Sequence, residues 1–272
     1  MKSRYFAGWL LIVGLLFAGC KKTFEYSPFS GETPGDYTEL RTETNMEALR
    51  TAGASETGVF KVAFLADTHY FMDELEEAVK RINATDDVDF VVIAGDMSDQ
   101  GLQKEYTQFY DLASQLNKPV FTVIGNHGYL ANAEAIYAKM FGPLNYTLEY
   151  RGHKFIFFDN IFWEKNGTPD FNWLKEQASS ARTTGLQPIL ISHIPFFGDQ
   201  YDSTSRRKHT DIIAQQNIRL SVHGHQHSYS YTPVDENNDT HKCLVVPAIG
   251  KRSYCVVSFD SGKDPVVTSV NF

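Results

Sequence analysis

Positive charge is in short supply: 25 Lys and Arg stand against 33 Asp and Glu, a formal net charge of -8 at pH 7. Affinity for a phosphate backbone comes mainly from clustered Lys and Arg, so no nucleic-acid polymer is expected as a partner. A small phosphorylated ligand is not excluded, because metal ions can hold one. No internal repeat and no low-complexity tract is visible. Cysteine is nearly absent, with three in 272 residues, and the apolar run that opens the chain, Tyr5 to Phe17, is too short to span a bilayer comfortably. What is present is an ordinary globular composition, 42% hydrophobic, in a chain long enough for one large domain or two modest ones.

Lys2 and Arg4 precede the apolar run, the order of a targeting segment rather than of a folded element. Its end, Leu16-Phe17-Ala18-Gly19-Cys20, resembles the bacterial lipoprotein signal, with Phe17 where Leu is usual. The resemblance implies lipid on Cys20 and an exported protein anchored to the cell envelope, on the periplasmic face if the source is Gram-negative. A plain secretory signal or an uncleaved anchor is the alternative. Residues 1–19 are therefore read as signal peptide, 20–57 as a flexible tether rich in Ser, Thr, Gly, Pro and Glu, and 58–272 as one domain. Within the tether, Met46 to Arg50 has the pattern of a short helical turn. Cys243 and Cys255 are then left in an oxidising compartment, flanking a hairpin expected from Leu244–Ala248 and Tyr254–Phe259 that turns near Ile249-Gly250-Lys251. A disulfide and two buried thiols both fit.

The domain opens on a buried strand, Val59 to Ala66, that ends in Asp67-Thr68-His69. Phe90 to Ala94 ends in Gly95-Asp96-Met97-Ser98-Asp99, Pro119 to Ile124 in Gly125-Asn126-His127, Pro188 to Ser192 at His193, and Ile218 to Val222 in His223-Gly224-His225-Gln226-His227. Helical periodicity separates them at about 73–83, 102–116, 170–181 and 205–216, with Asp170 a fair N-cap, while Tyr146–Tyr150 and Lys154–Asp159 flank a turn. Helices outside two packed mixed sheets fit this order. Ligands bind at the carboxyl ends of strands in open α/β sheets. A single histidine there is usually a satisfied polar residue, but five clusters of Asp, Asn and His at successive strand ends point to one shared site. Spacing by two puts Asp67 with His69, and His225 with His227, on the same side of an extended segment.

The ordered motifs DxH, GDxxD, GNH, a later His and GHxH, carried here by residues 67–69, 95–99, 125–127, 193 and 224–227, resemble the calcineurin-like metallophosphoesterase family over roughly Phe60 to Tyr229. The resemblance implies an α/β fold, a four-layer αββα sandwich of two mixed β-sheets flanked by helices, with a dinuclear metal site at the strand ends. Asp67, His69 and His227 would hold one ion, Asn126, His193 and His225 the other, and Asp96 would bridge both. Mixed imidazole and carboxylate ligands suit Mn, Zn or Fe rather than calcium. The implied reaction is hydrolysis of a small phosphate ester, mono- or diester, by a metal-bridging hydroxide. By the same resemblance, His127 serves the departing oxygen and Asp99 orients His127. The chain departs from the family at Gly128, where Asp or Glu commonly follows GNH, which puts support of that loop in question rather than metal binding. His223 has no ligand role in the family and is read as structural.

Arg206 and Arg207, in the basic run Arg206-Arg207-Lys208-His209, would meet substrate charge or form a solvated helix face. Phe196, Phe197, Tyr201, Trp163 and Asn166 would line a pocket or simply pack. The competing reading is a non-catalytic scaffold of the same fold that binds an envelope partner, although no protein partner is evident. Retention of His127 and Asp99 favours the enzyme.

Overall fold

Strand β1 (Phe60–Leu65) sends Val62 and Phe64 to one side and Ala63 and Leu65 to the other, and all four are fully buried. Both faces of its sheet must therefore be covered. Strand β2 (Phe90–Ile93) repeats the division: Phe90 and Val92 join the apolar layer of Val62 and Phe64, whereas Val91 and Ile93 join that of Ala63 and Leu65. The computed structural model describes residues 33, 35–51 and 58–272, so the expected signal peptide, Cys20 and part of the tether lie outside the described residues.

β1, β2 and β3 (Val120–Thr122) run parallel, and β1 also pairs antiparallel with β10 (Ser253–Phe259), which pairs with β11 (Val266–Asn271). The result is a five-stranded sheet in the order β11-β10-β1-β2-β3. The second sheet has six strands: β4 (Tyr146–Tyr150), β5 (His153–Phe157), β6 (Gln187–Ile191), β7 (Leu220–His223), β9 (Asn238–Val245) and β8 (Ser230–Asp235), in that order. Its four central strands are parallel and its two edges antiparallel.

The inner faces meet in a layer that includes Phe60, Phe64, Phe90, Phe155, Phe157, Ile189, Val222 and Phe259. Phe60 stacks on Phe259 with ring centroids 5.1 Å apart and meets Phe155 edge-on at 6.1 Å. Outside the first sheet lie α2 (Met72–Asn83), α3 (Gln103–Ala113) and α4 (Ala133–Met140). Outside the second lie α5 (Phe171–Thr183), whose N-cap Asp170 accepts the Trp173 N–H, and α6 (Ser203–Gln215). The expected four-layer αββα sandwich is thus present. Among the described residues no helix is long and apolar enough to cross a membrane.

Two expectations are corrected. The tether 20–57 is not flexible throughout, because helix α1 (Thr42–Thr51) belongs to the domain. Its Asn45 accepts the Val120 N–H at 2.7 Å on the edge strand β3, Thr42 N–H donates to Phe141 at 2.7 Å, and Leu40 and Leu49 are buried. An edge strand leaves N–H groups unpaired, and α1 supplies a partner. The expected hairpin around Ile249 is also absent. The chain leaves β9 in one sheet and enters β10 in the other through a short 3-10 turn (Ile249–Lys251), with Ile249 N–H held by Ala66. Cys243 and Cys255 therefore lie in different sheets as free buried thiols.

Candidate metal centre

The segments that follow the parallel strands turn abruptly. Asp67 (φ 50), His69 (φ 41), Asp96 (φ 51), His225 (φ 68) and His227 (φ 56) adopt left-handed backbone, which costs a non-glycine residue about 1–3 kcal/mol. The expected extended pairs are thus tight turns instead. They persist because neighbours brace them: Asp67 N–H donates to Gly95 at 3.1 Å, His69 N–H to Asp96 at 3.0 Å, and Gly224 N–H to His193 at 3.0 Å. Glycine precedes Asp96 and Asn126 for want of room. A Cβ on Gly95 would collide with the His193 ring, and one on Gly125 with the Asp96 carboxylate.

These turns assemble two groups, and His69 shares a third with Asp99 and His127. Asp67, His69 and His227 each offer a ligand atom within 4.8 Å of the others, as do Asp96, His193 and His225. Asp96 Oδ2 lies 3.0 Å from His193 Nε2 and 3.9 Å from His69 Nε2, so one carboxylate adjoins both groups. Asn126 Oδ1 completes the second, 3.2 Å from His193 Nε2 and 3.1 Å from His225 Nδ1. All seven residues expected as ligands are therefore brought together.

The remaining hydrogen bonds fix which ring atom faces inward. His193 Nδ1–H donates to the Ala94 carbonyl at 2.8 Å and His225 Nε2–H to Asp199 at 3.1 Å, leaving His193 Nε2 and His225 Nδ1 to face Asn126 Oδ1. His69 Nε2 and His227 Nε2 face each other at 3.3 Å, with Asp67 Oδ1 3.5 Å from His227. Each of these close nitrogen and oxygen pairs needs either a shared proton or a cation between its atoms. The donor set of imidazole nitrogen, carboxylate and amide oxygen fits a pair of transition-metal ions.

Burial pushes the Asp67 carboxyl up, and the charge of Asp96 adds to this. Burial also acts on Asp96, but there the charge and hydrogen bond of His193 prevail and hold it below the usual carboxylate range. Burial opposes charge on His193, yet Asp96 and Asp67 win and push it up to about 9.

His127 lies at the edge of this cluster, its ring centroid 4.8 Å from that of His69. Its backbone N–H donates to Asp96 Oδ1 at 3.0 Å. The expected carboxylate dyad with Asp99 is not what forms. His127 Nδ1 meets the backbone carbonyl of Asp99, while the Asp99 carboxylate lies 3.6 Å from His69 Nδ1. The turn after Asp96 presents the main chain to His127 and sends the side chain toward His69.

Gly128 is explained by packing, since a Cβ would collide with Ile124 and crowd the Tyr106 hydroxyl, so an acid has no room there. His223 is buried, its Nδ1 3.1 Å from Ser192 Oγ, outside the ligand groups. Arg206 and Arg207 are exposed on α6, and Arg206 Nε donates to the Phe196 carbonyl at 3.2 Å rather than to the cluster. Tyr201 is buried between Asn160 and His209, a packing role.

Sequence reasoning missed three polar residues. Glu164 accepts from Asn126 Nδ2 at 3.0 Å and from Gln200 Nε2 at 2.7 Å, and Asp199 accepts from His225. Glu164 follows β5, in a loop without a recognised motif, and Gln200 and Asp199 lie in the loop after His193.

The calcineurin-like phosphoesterase family model matches residues 60–229. Among solved structures, a dimetal phosphatase from Danio rerio superposes with a TM-score of 0.60 at 11% identity, covering 76% of this chain and 98% of the other. A purple acid phosphatase from yellow lupin (Lupinus luteus) gives 0.66 at 12% identity, covering 79% and 52%. GAP50, an anchor in the inner membrane complex of Plasmodium, gives 0.61 at 15% identity, covering 78% and 84%. No curated protein matches the chain in sequence.

Proposed function

Because the chain belongs to the calcineurin-like phosphoesterase family, we propose that it hydrolyses small phosphate esters with two metal ions held by Asp67, His69, Asp96, Asn126, His193, His225 and His227. The observation that carries this reading is the convergence of imidazole and carboxylate lone pairs from both sheets around the shared carboxylate of Asp96. Two cations there would polarise the phosphoryl group and lower the pKa of a water toward roughly 7.

The chain's own residues supply the rest. Asp96 ties the two halves together and holds the His127 backbone in place. Since the Asp99 carbonyl has only lone pairs, His127 Nδ1 carries hydrogen and Nε2 is left to exchange a proton with the departing oxygen. Four exposed aromatic residues lie close in sequence to residues of the site: Tyr70 follows His69, Phe197 and Tyr229 lie shortly after His193 and His227, and Trp163 precedes Glu164. They support a substrate with an apolar or aromatic arm. The sequence Leu16 to Cys20 supports an exported enzyme anchored by lipid on Cys20.

The test is a panel of phosphomonoesters and phosphodiesters of increasing apolar size, assayed with Mn, Zn and Fe. Metal-dependent turnover that rises with the apolar arm is expected. No turnover of any ester after metal loading would favour the scaffold reading, which the anchor role of GAP50 supports by fold alone.

A further inference from the structure

Asn126 is an amide among acceptors, and an amide works as a metal ligand only one way round. Its oxygen must face the lone-pair nitrogens of His193 and His225, and its NH2 must face away. The backbone turn does not decide this, because the two ends of the amide have nearly the same shape. Glu164 does. A carboxylate can only accept, so Asn126 Nδ2 turns toward Glu164 Oε1 at 3.0 Å and Oδ1 turns inward.

Glu164 is itself held by Gln200, and its loop by a second set of contacts. The buried Gln200 uses its Oε1 to accept the backbone N–H groups of Phe162 at 3.0 Å and Trp163 at 3.1 Å, which directs its Nε2 to Glu164 Oε2 at 2.7 Å. On the other side, Lys165 pairs with the buried Asp159 at 2.5 Å. Asp159 also accepts from Tyr129, the last residue of the short 3-10 turn (Asn126–Tyr129) that begins at Asn126. The loop is thus fastened through Gln200 to the loop after His193 and through Asp159 to the metal-ligand turn.

We propose that Glu164 and Gln200 are positioning residues that lock the Asn126 amide with its oxygen toward the second metal ion. The inference rests on the dinuclear reading above and deepens it. Two amide NH2 groups converge on residue 164, and only a side chain with two acceptors and no donor satisfies both. Glutamine at 164, although isosteric, sets one NH2 against another. Glu164→Gln should therefore disrupt the clamp, whereas the exchange of both residues, Glu164→Gln with Gln200→Glu, restores a complementary pattern. In that double variant the glutamine oxygen accepts from Asn126 and its NH2 donates to the new carboxylate, which still accepts the Phe162 and Trp163 N–H groups. Net charge is unchanged in the exchange.

The test is calorimetric titration of the metal-stripped full chain with Mn2+, for the wild type, Glu164→Gln and the double variant, with thermal unfolding as a check on folding. Wild type is expected to bind two ions. Glu164→Gln should weaken one of them by roughly 10–100-fold and leave the other alone, and the double variant should recover most of the loss. Equal affinity for both ions in wild type and Glu164→Gln would overturn the proposal, as would a double variant no better than the single one. If the single variant does not fold, the double variant decides: two ions at near wild-type affinity support the clamp, and a weakened second ion overturns it. A wild type that binds no Mn2+, Zn2+ or Fe2+ would instead refute the dinuclear reading beneath the proposal.

Discussion

His127 and Asp99 separate two roles that the GDxxD and GNH motifs had merged. His127 leans on a backbone carbonyl, so its orientation survives loss of the Asp99 side chain, while the carboxylate faces the otherwise unpartnered Nδ1 of buried His69. His127→Ala should lower kcat by roughly 10²–10⁴-fold and leave metal content unchanged. Asp99→Asn should instead weaken metal binding through His69, with a smaller fall in kcat at saturating Mn2+. Steady-state kinetics beside a metal titration distinguishes the two, and an equal loss of kcat in both variants would restore the carboxylate dyad. The ligand types and their order were legible in the sequence because each motif sits at the end of an apolar strand. The left-handed backbone at Asp67, His69, Asp96, His225 and His227 was not, since residue spacing carries no value of φ. Glu164 escaped for a related reason: a lone acid in a loop acquires meaning only when the fold sets it against Asn126.

Among the elements, α1 and α6 carry the clearest consequences. Asn45 of α1 accepts the Val120 N–H and donates to the Glu39 and Arg41 carbonyls. Asn45→Ala leaves a buried edge-strand N–H without its partner and should destabilise the domain by about 1–3 kcal/mol, measured by urea unfolding. That helix was mostly hidden in the sequence because its polar exposed face resembles a tether, and its buried residues matter only once β3 lies beneath them. On α6, burial pushes the His209 imidazole down to about 3, and its Nε2 has no hydrogen-bond partner among the described residues. The unfolded chain takes up that proton near pH 6.5 and the folded chain does not until about 3. Stability from this residue is therefore complete above about pH 6.5 and falls with pH through that window, by up to about 1.4 kcal/mol per unit. Buried His223 shifts in the same direction. His209→Phe should flatten the fall between about pH 7 and about pH 5 without abolishing it. The misplaced hairpin has its own cause, for two apolar runs around a glycine look local, although Leu244 and Val257 pack from opposite sheets into the same inner layer.

At the scale of the whole molecule, the architecture followed from uninterrupted apolar strands that required cover on both faces, and the αββα order satisfies that requirement. The site exists because both sheets bring strand ends to one edge, so neither sheet alone holds a complete ligand set. Asp96 is where they meet. The most direct measurement is metal content, by elemental analysis, of wild type and Asp96→Asn after loading with Mn2+, with hydrolysis of a nitrophenyl phosphate and of its diester followed in parallel. Two ions per wild-type chain with metal-dependent turnover, and disturbance of both ions in Asp96→Asn, is the predicted result. A variant that loses one ion and keeps the other at full affinity, or a wild type that binds two ions and turns over no ester, would contradict it.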